Sequence, residues 1–256
     1  MTEHAEYTDH HGPEGPAIRG TVVVVPGRGE TRETYTRLGR RLAADAYRVR
    51  IVDAVHLDAD DPAGSLARFG AQVAEAVAGT AGPDGVARPV VLVGADTGAV
   101  AVAALLGSGE PTVADAVVLA GLPARTASAA SADWDDELDV RTFCPAHRST
   151  LSGDSGFRRG ALDEAVPGAL LTAAYESEAD VPVLILTGDA DPLADRDALT
   201  RAAKSLPRAR LSVVRDAHHD VLNDMQHRSV AAEIVTFLEA LRNELVPLVT
   251  VEASAW

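Results

Sequence analysis

The sequence predicts an α/β fold, and three observations carry that reading. Six short runs rich in β-branched residues recur along the 256 residues. Four of them are almost continuously apolar, the pattern of strands covered on both faces. Amphipathic segments of helical period lie between them, so the chain alternates strand and helix, and right-handed βαβ crossovers build a mainly parallel sheet.

In chain order, Thr21–Val25 reads as the first strand and Glu33–Asp45 as the helix after it. Tyr47–Asp53 and Ala63–Ala78 form the next pair, then Pro89–Gly94 and Thr97–Leu106. Strand Ala114–Gly121 is followed by a long interval, Leu122–Asp180, without a β-branched run. An interval of that length suits an inserted cap, and its helix-like stretches are Ala132–Val140 and Arg159–Tyr175. Val181–Gly188, Arg196–Ser205, Ala209–Val214 and His227–Glu244 complete the alternation. The expectation is one domain over 1–256 with a cap over 122–180. About six strands in the order 2-1-3-4-5-6 would place the pocket at the switch between the first and third. About twenty residues precede Thr21, too few for a leading hairpin, so no antiparallel strand is expected there. The apolar tail Leu245–Val251 could pack on its own domain or join a homodimer.

Aromatic residues make up only 4% of the chain, so Ala, Val and Leu must build the core. A net charge of −15 argues against nucleic acid or an anionic membrane as partner and leaves a small-molecule substrate. Cys144 is the single cysteine, which excludes an internal disulfide. The N-terminus lacks an apolar signal core, and Asp96, Gly94 and Gly98 interrupt the longest apolar stretch. These features predict no membrane span and a cytoplasmic location. His4, His10, His11, His56, His147 and His227 are scattered without metal-ligand spacing, so neither a metal nor another cofactor is expected.

Chemistry concentrates in Gly94-Ala95-Asp96-Thr97-Gly98, where a buried strand turns directly into an apolar helix. That is the context of a nucleophile elbow, G-x-S-x-G, with aspartate in the serine position. An ordinary helix N-cap is the competing reading of Asp96. Asp191 stands after the strand Val181–Gly188 and His219 after Ala209–Val214; singly, they read as a turn residue and a surface or capping histidine. Asp189 and Asp195 neighbour the first, His218 the second.

The chain order elbow, acid, histidine, with Pro26-Gly27-Arg28-Gly29-Glu30…Tyr35, Gly188-x-x-Asp191 and His219-Asp-Val-Leu-Asn-Asp, resembles the α/β-hydrolase superfamily. It is most similar to its monoacylglycerol-lipase-like branch (serine aminopeptidases and lysophospholipases). The resemblance spans about Thr21 to Leu241 except the cap. It implies Asp96 as nucleophile, His219 as base, Asp191 as acid, and the backbone N–H groups of Arg28 and Thr97 as the oxyanion hole. A carboxylate is ionised at neutral pH and attacks saturated carbon, giving an ester that water hydrolyses. The resemblance therefore implies a hydrolase acting on an epoxide or alkyl halide. Two alternatives are an esterase-like enzyme in which Asp96 and His219 activate water, and an inactive ligand-binding homologue. Thr97 stands where dehalogenases of this fold carry tryptophan, and Pro-Gly-Arg-Gly replaces the H-G-x-P loop. Trp134 and Tyr175 in the cap are the candidate pocket residues.

Overall fold

The computed structural model describes residues 7–109, 112–126, 131 and 133–254. His4, and Ala132 at the start of one expected helix, lie outside them. Seven strands form one sheet: β1 (Tyr7–His10), β2 (Gly20–Val25), β3 (Tyr47–Val52), β4 (Val90–Ala95), β5 (Ala116–Ala120), β6 (Val183–Gly188) and β7 (Ala209–Val214). Their order is β1-β3-β2-β4-β5-β6-β7, and every pairing except β1–β3 is parallel. The six strands expected from the sequence take the expected order, with the switch between β2 and β4.

β1 is a correction to the sequence reading: an antiparallel strand does precede Thr21. It is a four-residue polar edge, so no apolar run announces it. Arg50 of β3 holds it, with Nε and Nη2 each 2.7 Å from the Asp9 carboxylate and the guanidinium 3.6 Å above the Tyr7 ring. One isolated strand needs no hairpin, so twenty residues suffice.

Eight α-helices complete the chain: α1 (Thr36–Ala44), α2 (Pro62–Ala78), α3 (Thr97–Gly107), α4 (Trp134–Arg141), α5 (Pro145–Gly153), α6 (Gly168–Tyr175), α7 (Arg196–Ser205) and α8 (His227–Leu241). Alternate side chains of the central strands feed two separate cores. On one face Val23, Leu92, Val117 and Ile185 pack with α2, α3, α6 and α7; on the other Val22, Val91, Val118 and Leu184 pack with α1 and α8. Pro167 breaks the expected Arg159–Tyr175 helix, since it cannot donate within a helix. A 3-10 turn at Ala161–Asp163 precedes it and α6 follows. Ahead of that turn, Leu138 of α4, Leu151 of α5 and Phe157 make a small core of their own. No helix among the described residues is long and apolar enough to cross a membrane. At the C-terminus, Leu245 packs on the second core, while Val246, Leu248, Val249 and Val251 are exposed.

The sheet and α3 meet through glycine. A Cβ on Gly98 would lie 2.4 Å from the Val25 carbonyl oxygen, and one on Gly94 would lie 2.5 Å from that of Gly98. Backbone cannot yield there, so Gly98→Ala should cost more than about 2 kcal/mol in urea unfolding. Gly153→Ala, where a Cβ meets nothing within 4 Å, should be neutral or slightly stabilising in the same assay.

Candidate active site

Asp96 sits between β4 and α3 at φ 47°, ψ −115°, a left-handed conformation that a non-glycine residue holds only under surrounding constraint. Its side chain caps nothing in α3, so the N-cap reading does not hold. The carboxylate is turned instead toward β2 and the β7–α8 loop. His219 Nε2 lies 3.3 Å from Asp96 Oδ1, and its Nδ1 lies 3.0 Å from Asp191 Oδ2. Among the acids after β6, Asp191 alone reaches His219. Asp189 accepts the Asp216 N–H at 2.6 Å, and Asp195 caps α7 through the Ala198 N–H. His218 turns away to Asp224 and the Phe143 ring.

The side chain of Arg28 is the feature that sequence reasoning did not anticipate. Its backbone N–H donates to Asp96 Oδ2 at 2.9 Å, the position expected of an oxyanion-hole donor. The guanidinium then grips the same carboxylate, Nε to Oδ2 at 2.8 Å and Nη2 to Oδ1 at 2.8 Å. Nη1 reaches the carbonyls of Leu162 and Glu164, tying the inserted segment to the elbow. Thr97 opens α3, which leaves its N–H without a helical partner, and it lines a cavity of about 230 Å³ with Arg28, His56, Leu57 and Val166. Asp96 and His219 line a much smaller space of about 10 Å³, on the order of one water. Arg28 stands at the junction of the two.

Electrostatics follow from this packing. Burial alone would raise the Asp96 carboxyl, but the Arg28 charge and the bonds from His219 and Arg28 hold it well below the carboxylate range. Burial would lower His219, yet the Asp191 charge and hydrogen bond, with Asp96 behind them, push it up to about 10. The two carboxylates thus favour the protonated form of the histidine between them.

A second buried polar layer lies beside the first. Tyr35 Oη donates to Glu30 Oε2, which also takes the Gly27 N–H at 2.7 Å. Arg141, fully buried, binds Glu137 at 2.9 Å, the Arg28 carbonyl at 2.8 Å and Asp220 at 3.4 Å. His147 Nε2 is 2.8 Å from Asp220 Oδ2. Burial and the Asp220 charge push Glu30 up to about 7 against Arg141. Glu30, His147 and Asp220 bring ligand-type atoms within 4.8 Å of one another and are the set that could hold a metal ion. The Arg141 guanidinium already supplies positive charge there. Glu30 stands in the motif quoted from the sequence; Arg141 and His147 carried no signal, because charged residues of an inserted segment read as surface.

Neither expected pocket residue contacts Asp96 among the described residues, although Tyr175 lines a separate cavity of about 480 Å³. Trp134 packs on Phe157 at 5.4 Å, and its Nε1–H donates to Ser152. Tyr175 is buried in the α3-facing core, where its hydroxyl donates to the Pro123 carbonyl at 3.2 Å. An aromatic in a chain so poor in them anchors a core before it lines a pocket.

Two measurements check this electrostatic reading. Arg28→Met strips a buried carboxylate of its partner and should cost about 3–5 kcal/mol, whereas Arg28→Met with Asp96→Asn should recover part of that loss. A folded-state pKa raised from 6.5 to about 10 means His219 stabilises fully below pH 6.5. That contribution disappears as pH rises to about 10. Stability measured across this window should fall more steeply for the wild type than for His219→Gln.

The sequence profile described as the alpha/beta hydrolase family matches residues 22–233. No curated protein matches the sequence significantly. Among solved structures, the monoacylglycerol lipase of Paleococcus ferrophilus superposes with a TM-score of 0.68 at 16% identity, covering 92% of this chain and 98% of that one. A soluble variant of the Saccharomyces cerevisiae monoglyceride lipase, crystallised with a substrate analogue, gives 0.69 at 15% identity over 92% and 91%. The esterase RhEst1 of a Rhodococcus species gives 0.62 at 19% identity over 92% and 94%. At these identities the structural likeness speaks for the fold, and the profile match over most of the chain assigns the family. The chain belongs to the alpha/beta hydrolase family.

Proposed function

We propose that the chain is a hydrolase that opens an epoxide through a covalent ester on Asp96. The supporting observation is the geometry: the Asp96 carboxylate stands at the elbow 3.3 Å from His219 Nε2, and Asp191 holds the other ring nitrogen at 3.0 Å, a setting between two acids that favours the protonated ring. One Asp96 oxygen attacks an epoxide carbon, and the ring C–O bond breaks. The released alkoxide takes the proton from His219 Nε2, leaving the imidazole neutral. Ester formation removes the Asp96 charge, one of the two that raised His219, so the imidazole stays neutral and can act as base. It takes a proton from water, and the hydroxide adds to the ester carbonyl. The N–H groups of Arg28 and Thr97 face the oxyanion that forms. Collapse releases the diol and restores the carboxylate and the imidazolium, so the cycle closes with protons balanced.

Displacement of a halide is favoured less, because no departing group would take the His219 proton before water must be activated. The water-activating esterase reading needs a neutral His219 at the outset, which the two flanking carboxylates oppose. For the epoxide reaction, Arg28 must leave Asp96 as substrate enters from the 230 Å³ cavity. The bidentate Arg28–Asp96 pair is the one observation that favours a second reading, a binding protein without turnover.

A single turnover in heavy-oxygen water over a panel of epoxides separates these readings. Label is expected in the Asp96 peptide; label confined to the diol would rule out the covalent route. Wild type silent on epoxides, halides and esters alike would favour the binding reading. The pH profile gives an independent check: kcat/KM should hold steady through neutral pH and fall above about 10 as His219 loses its proton.

A further inference from the structure

An open groove of about 970 Å³ lies between α1, α5 and the start of α8, and Asn223 is the residue it shares with the small space beside Asp96 and His219. It shares no lining residue with the 230 Å³ cavity. In a chain of net charge −15 this groove is basic. Arg37, Arg40 and Arg41 enter it from α1 and Arg228 from the first turn of α8; against these four cations stand Glu33 and Asp45. Arg40, Arg41 and Arg228 are exposed and make no hydrogen bond or ion pair among the described residues, although most arginines elsewhere in the structure pair with an acid. Four arginines converging on one groove, three of them without an acid partner, form an anion-binding footprint in an acidic protein.

Arg37 is the tethered member of the set, donating to the Asn223 carbonyl and to the Cys144 sulfur at 3.7 Å. Burial and the charges of Arg37, Arg228 and Arg41 hold His227, which also lines it, below its ordinary pKa.

We propose that the groove binds a multiply charged phosphate group carried by a small soluble ligand, at a site separate from Asp96. Guanidinium groups bind phosphate oxygens in pairs, and four arginines lining one groove match two linked phosphates better than one carboxylate. The overall charge favours a free ligand over a lipid headgroup, since an anionic membrane repels the rest of the surface. The groove also reaches the catalytic layer: His147 lines it and bonds Asp220, the neighbour of His219.

Isothermal titration with inorganic pyrophosphate at constant ionic strength tests the proposal. One saturable site is expected in the wild type, at least tenfold weaker in Arg40→Glu/Arg228→Glu and unchanged in Arg201→Glu on α7. Arg41→Gln removes an exposed cation that has no bond to lose, so it should keep wild-type stability while weakening pyrophosphate severalfold. The absence of saturable binding, or equal weakening by the Arg201 control, would overturn the site. Sedimentation with phosphatidylcholine vesicles, with and without phosphatidylglycerol, distinguishes the source. Pelleting only with the anionic vesicles, without pyrophosphate binding, would overturn the soluble ligand.

Discussion

The grip of Arg28 on Asp96 organises this molecule. An aspartate at the elbow is longer than a serine by one carbon and carries a charge that cannot be buried unpaired. At that position it reaches the Arg28 backbone N–H and fills the place where an oxyanion would sit. The guanidinium then neutralises it, and the third nitrogen of the fork ties the inserted segment down through two carbonyls. On the proposed reading, the nucleophile, the anion hole and the contact with the 161–164 segment thus depend on one side chain. The same dependence couples chemistry to opening: an ester on Asp96 removes the charge that holds Arg28 in place.

Polar burial extends beyond that pair, and the fold accommodates it by layering. His219 lies between Asp96 and Asp191; beneath it Asp220 lies between His147 and Arg141, and Arg141 returns to the Arg28 carbonyl. Each cation in this stack is bounded by carboxylates, and each carboxylate meets a cation or a backbone N–H. Glu30 is the partial exception, with one oxygen bonded to Tyr35 and Gly27 and the other without a partner. Its elevated pKa is the physical result of that imbalance: in so crowded a set of charges, one carboxyl relieves repulsion by holding a proton near neutrality.

The parallel sheet was legible in the sequence because burial on both faces demands uninterrupted Val, Leu and Ile, and little else in the chain has that composition. Asp96, Asp191 and His219 were legible by place, each just beyond a strand end, and the structure brings them within hydrogen-bonding distance of one another. β1 was not legible, since a polar edge strand leaves no periodic trace and depends on a distant arginine, Arg50. Arg28 was named for its amide alone; a motif records where a backbone runs, not where a long side chain folds. Trp134 and Tyr175 were legible only as large side chains of the 122–180 segment; where each one packs, on Phe157 and in the α3-facing core, follows from tertiary contacts that the sequence does not record.

The strain at Asp96 has a bearing on why an acid works there. A non-glycine residue at φ 47° persists only where its surroundings over-determine it. At this elbow Gly94 and Gly98 let β4, α3 and the end of β2 close on the turn, and no larger residue would fit the latter two contacts. The backbone therefore cannot relax to bring the carboxylate out of line. With both carboxylate oxygens already bonded, Asp96 has one route to a new bond, which is exchange of Arg28 for an incoming electrophile. A substrate that offers strained carbon and a basic oxygen satisfies both sides of that exchange, taking the lone pair of Asp96 and the proton of His219. An unstrained ester carbonyl offers neither a stable product with the carboxylate nor a need for the proton that His219 already holds. On the proposed reading, the glycine-closed turn, the paired Asp96 carboxylate and the histidine held between two acids all point to the same chemistry.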